Sequence, residues 1–107
     1  MANYWLSFTV KKETRGGRTY DDRRDHIEDV TGASDVDVVT WAETTSYIVF
    51  PSPLGISEIG KLIAGGLDAD VDKFLIGKVG FKEQRYWGAI EYPYTLKKLY
   101  PDTQELK

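Results

Sequence analysis

Six cations crowd one short stretch of the chain, KKETRGGRTYDDRR, as Lys11, Lys12, Arg15, Arg18, Arg23 and Arg24. They are all the lysines and arginines of the first 53 residues. Such a cluster can neutralise a phosphate backbone or one acidic face of a partner. Each phosphate met adds salt-dependent affinity without sequence information. The plain structural alternative is a solvated loop whose cations pair with acids of this same chain. Gly16-Gly17 marks the loop tip, and no Lys-Ser pair follows it, so it is not a phosphate-binding loop of the P-loop kind. Residues 25–43 reverse the sign, with Asp25, Glu28, Asp29, Asp35, Asp37 and Glu43 against no lysine or arginine. That acidic stretch is a second candidate surface, suited to a basic partner protein.

Carboxylates are the other residues with chemical potential. Asp21, Asp22 and Asp25 sit beside the basic run, where a metal-dependent ribonuclease or other phosphodiesterase would find its ligands. Asp35 and Asp37 would share one face of a strand, where a polar edge is the commoner use. The run DADVD, Asp68 to Asp72, opens like a calcium loop. However, Lys73 stands where the turn glycine belongs and Val79 where the bidentate glutamate belongs. His26 is the single histidine; Asp22 and Asp29 are its neighbours at helical spacing but nothing else suggests a dyad, so it reads as a solvent-facing or packing residue. No catalytic residue, metal or cofactor is assigned on these grounds.

The elements that position these residues follow from patterning. Asn3 to Val10 alternates as a strand, with Tyr4, Leu6, Phe8 and Val10 on one face and Trp5, Ser7 and Thr9 on the other. Thr19 caps a helix from Tyr20, with Asp21 and Asp22 in its first turn, a stripe of Tyr20, Arg23, Ile27 and Val30, and Gly32 at its end. Val36–Glu43 reads as strand two, in a hairpin around Glu43–Thr45 with strand three, TSYIVF. Ser52 and Pro53 read as the start of a second helix, with Ile56, Ile59, Leu62 and Ile63 buried and Gly65-Gly66 ending it. DKFLIGKVG is strand four.

The order β-α-β-β-α-β predicts an α+β, ferredoxin-like two-layer sandwich over residues 1–80. Residues 81–107 form a C-terminal extension of the same single domain, with a fifth strand around Tyr86–Tyr92 and a short helix around Thr95–Tyr100. Strands three and four are apolar on both faces, and Trp5 and Trp41 add bulk, so the open sheet face needs a cover. A homodimer is the expectation, with the extension as the alternative cover. At 107 residues the chain supports one core, and its net charge of −3 speaks against a dedicated nucleic-acid binder. No apolar run approaches the ~20 residues of a membrane span, and no signal-peptide pattern opens the chain. With no cysteine present, a cytoplasmic location is expected.

Three segments carry a family resemblance: NYWLSFTV, WAETTSYIVF and SEIGKLIAGGLDADVDKFLIGKVGFKEQRYWG. They resemble the first strand, the strand-two-to-three hairpin, and the second helix with fourth strand of the second Cas protein of CRISPR systems and its SinR-like relatives. That resemblance implies a ferredoxin-like homodimer and makes RNA or DNA a candidate partner. It also implies a divalent metal held across the dimer axis by an aspartate ending strand one. Thr9 occupies that position here, and a hydroxyl is a poor substitute for a carboxylate toward a hard cation. The reading is therefore a non-catalytic adaptor or regulator, with the six basic residues as its nucleic-acid-binding candidates.

Overall fold

The computed structural model covers residues 1–107. Strand β1, Ala2–Thr9, occupies an interior position in the sheet, and its alternation decides which face is core. Tyr4, Leu6 and Phe8 are buried, and they meet Ile48 and Phe50 of β2 (Tyr47–Ser52) and Phe74 and Ile76 of β3 (Lys73–Lys78). Both neighbours run antiparallel to β1. Strand β4, Gln84–Gly88, pairs antiparallel with β3, and β5, Thr103–Glu105, runs parallel to β4. The result is an α+β fold on a five-stranded mixed sheet in the order β2-β1-β3-β4-β5.

Helix α1, Tyr20–Thr31, has the caps its sequence calls for. Thr19 and Asp22 form a reciprocal capping box, and Gly32 ends the helix in the left-handed region at φ 83°. Its buried line is Arg23, Ile27 and Thr31, with Tyr20 and Val30 partly covered. Helix α2, Ile56–Ala64, buries Ile56, Ile59 and Ile63. It begins three residues later than Pro53 suggests, because the Ser52 hydroxyl accepts from Leu54 N–H and holds a turn there instead. Leu62 is half-exposed rather than part of the buried stripe. Both helices cover the Tyr4–Leu6–Phe8 face, and a core of 14 buried residues lies between them and the sheet.

Val36–Glu43 is not a strand. Only Trp41 pairs, by two 2.8 Å hydrogen bonds with Val49, and no hairpin forms around Glu43–Thr45. Asp35 explains it: it accepts the Asp37 N–H through its side chain and the Val38 N–H through its carbonyl. These turns take backbone groups that a ladder would need. Val36 and Val39 are consequently almost fully exposed.

The segment after residue 80 is built into the same sheet. The strand expected around Tyr86–Tyr92 is β4 and stops at Gly88, whose φ of 92° turns the chain toward Asp72. Helix α3, Pro93–Leu99, crosses the opposite face of the sheet, where Lys97 lies over the Tyr86 ring and Tyr100 reaches Trp5. Leu106 then returns to the core against Gly60, where a Cβ would come within 2.9 Å of its methyl. No helix is long and apolar enough to cross a membrane.

Candidate functional site

The basic loop is organised by a buried carboxylate. Asp72 and Arg23 are both fully buried and face each other at 3.0 Å. The Asp72 Oδ1 accepts from Lys11 N–H, while Oδ2 accepts from Arg23 Nε and from Asp68 N–H. Arg23 directs its remaining donors to the carbonyls of Glu13, Arg18 and Lys11 at 2.6 to 3.0 Å. Three carbonyls of a long loop, whose own pairing is a single Arg15–Arg18 bridge, are thus satisfied by one guanidinium fork, the geometry for which arginine is suited.

The six candidate cations meet different fates. Arg23 is sealed in the interior and presents nothing to a phosphate. Arg15 lies among Glu13, Asp68 and Asp70, and its bond to Asp68 raises the guanidinium's pKa further above its ordinary value. Arg18 donates to the carbonyls of Gly65 and Leu67, tying the loop to the end of α2. Arg24 stacks over Phe8 and Tyr20, at 5.2 and 5.8 Å from their centroids. Lys12 sits above the Tyr20 ring, and Lys11 extends toward Glu13 with a largely exposed side chain. Of the six, Lys11 and Lys12 are exposed and Arg24 is half-buried with no carboxylate partner. DADVD supplies much of this neutralisation. Asp68 is held below the usual carboxylate range by the Asp70 N–H and then by Arg15.

The carboxylates do not assemble a metal centre, since no three His, Asp or Glu side chains converge. Asp22 is committed to the Thr19 N–H, which lowers its pKa, and Asp21 and Asp25 project to solvent from α1. Thr9 ends β1 on the exposed side, directly across from Lys73 and beside a shallow hollow that also takes in Lys11. Asp70 and Glu91 also line this hollow, but they are two carboxylates beside two lysines and not a set of three ligands, so no metal-dependent step is derived there. On the acidic stretch, Asp29 accepts from the Ser34 hydroxyl and Asp35 is used in its own turn. His26 packs on Gly66 with Nε2 at 2.7 Å from the Leu62 carbonyl, a structural position.

The sheet's second face carries a feature that sequence patterning shows only in part. Four rings form a row across it: Trp41 edge-on to Tyr47, Tyr47 stacked with Trp5 at 6.4 Å, and Trp5 tilted against Tyr100 at 6.5 Å. Trp5 lies flat over Gly77, where any Cβ would overlap the indole. Trp41 and Tyr100 are 42% and 45% exposed, so the ends of the row are open. Alternation places Trp5 and Tyr47 on this face, but the Gly77 seat and the arrival of Tyr100 depend on pairings far apart in the chain. No family model matches the chain, and no curated protein or solved structure shows detectable similarity to it.

Proposed function

We propose that this chain is a non-catalytic, ferredoxin-like module related to the SinR-like proteins, working as a homodimeric adaptor or regulator. The ferredoxin-like reading rests on the spatial order Trp41 segment, β2, β1, β3 with two helices on one face. That order supports a split βαβ arrangement whose second strand is worn down to a single bridge. The observation that carries the dimer is the aromatic row. Helix α3 reaches across the β4 side of the face, where its end brings Tyr100 to Trp5, and beyond it Tyr47 and Val49 stay half-buried and Trp41 exposed.

A second copy is the occupant this face favours. In an isologous contact the same patch meets itself, and a charge close to the two-fold axis faces its own copy. Trp5, Ser7, Tyr47, Val49, Leu75 and Gly77 of this face are all uncharged and escape that repulsion. Aromatic anchors in an uncharged centre are also the composition of self-association interfaces. Any nucleic-acid contact of the basic loop falls to Lys11, Lys12 and Arg24.

Sedimentation velocity over a roughly hundredfold range of concentration tests the dimer, since association must follow mass action. Tyr47→Glu puts two carboxylates near the axis and is expected to weaken dimerisation at least tenfold, about 1.4 kcal/mol. Gly77→Ala lifts the Trp5 indole and acts in the same direction. A wild-type chain that stays monomeric, or a Tyr47→Glu dimer of unchanged affinity, removes the proposal.

A further inference from the structure

A cavity of about 480 Å³ opens at the edge of the sheet, lined from α2, β4, α3 and β5, and four cations stand on its wall against one carboxylate. Lys61 enters from α2, Arg85 from β4 and Lys97 from α3, with Lys107 at the rim. Glu105 is the one acidic side chain on its wall, and it forms no ion pair with any of them. All five ion pairs of the protein lie among residues 11–23 and 68–72, so these four cations have no carboxylate side chain within 4 Å. Arg85 is half-buried and makes a single side-chain bond, from Nη1 to the Gln84 carbonyl, which leaves the rest of its fork unused.

We propose that this cavity is a binding site for a compact, multiply charged phosphate compound, with the phosphate chain as the recognised group. Converging cations on one hollow suit a compact polyanion, whereas an extended nucleic-acid strand asks for a stripe. The guanidinium can grip two oxygens at once, and the ammonium groups follow as mobile point charges. Ser57 and Gln104 line the same wall and add neutral hydrogen-bonding groups. Tyr86 is the only hydrophobic side chain of the lining, and Lys97 already covers its ring, so no apolar slot remains to select a base. The volume is in the range of small-ligand pockets. This site is separate from the aromatic face and does not depend on the dimer.

Isothermal titration of the full chain with tripolyphosphate, ATP and orthophosphate, without divalent ions, tests it. Tripolyphosphate and ATP should bind alike, and orthophosphate at least tenfold more weakly. Arg85→Gln should weaken tripolyphosphate about tenfold. The double variant Lys61→Gln/Arg85→Gln should abolish its heat, while Lys11→Gln/Lys12→Gln binds as wild type. Tripolyphosphate should also raise the Tm of the wild type and leave that of the cavity double variant unchanged, the two unliganded proteins melting alike. Absence of both heat and Tm shift overturns the proposal, as does undiminished binding by the cavity variant or loss in the loop variant instead. A short single-stranded RNA that binds through Lys61 and Arg85 where tripolyphosphate does not would also overturn it, by making the ligand an extended backbone.

Discussion

Replacing Asp72 by asparagine should cost this protein far more than an isosteric change suggests. The two carboxylate oxygens serve three donors: Oδ1 takes Lys11 N–H, and Oδ2 takes both Arg23 Nε and Asp68 N–H. Asparagine has one acceptor oxygen and one NH₂ group, so either amide orientation turns a donor toward a donor. The Arg23 guanidinium meanwhile keeps its full charge with no counter-charge, at zero solvent exposure. Breaking one half of a buried ion pair in this way costs about 3 to 5 kcal/mol. Against the roughly 5 to 15 kcal/mol that hold a domain together, that is a large share.

Urea denaturation of Asp72→Asn, Arg23→Met and the double variant measures it. The double variant removes the orphaned charge along with its partner, so its loss should fall short of the sum of the singles by at least about 1.5 kcal/mol. Hydrogen exchange gives the local counterpart, because Lys11 N–H and Asp68 N–H lose their acceptor and should exchange faster in Asp72→Asn. If Asp72→Asn loses less than about 1 kcal/mol, or the two substitutions simply add, Asp72 is not the hub described here.

Two further outcomes are expected. Leu106→Ala should lower stability by about 2 to 3 kcal/mol in urea melts, because Leu106 fills the space above Gly60 in the shared core; a loss under about 1 kcal/mol would make residues 81–107 an appendage. Asp22 and Asp68 both have folded pKa values below the ordinary one of about 3.9, so their stabilisation is present above that pH and is lost as pH falls through the folded values. Asp22→Asn and Asp68→Asn should each flatten the fall in stability between neutral and strongly acid pH, and an unchanged slope in both refutes the assignment.

Local signals carried the sequence reading well where they were sufficient by themselves. The Thr19–Gly32 helix needs only its own caps, and β1 needs only its own alternation. The reading failed at Val36–Glu43, where Asp35 won the backbone for turns although the valines alternate as a strand requires. Charge shows the same divide between local and distant. Among the cations nearest one another in sequence, 11 to 24, Arg15 and Arg23 are neutralised because residues 68–72 come to lie opposite them. Neither stretch says so alone, since one reads as a basic loop and the other as a failed calcium loop.

The four unpaired cations of the cavity are spread over positions 61, 85, 97 and 107, a spacing no sequence window would join. They meet because the parallel β4–β5 return brings the end of the chain beside α2. An ion pair within reach in the fold relieves a cluster of its field, and a cluster without one keeps it. For this acidic chain, the attraction for anions therefore belongs to the cavity beside β5 more than to the basic loop, and mutating the two sets in parallel decides between them.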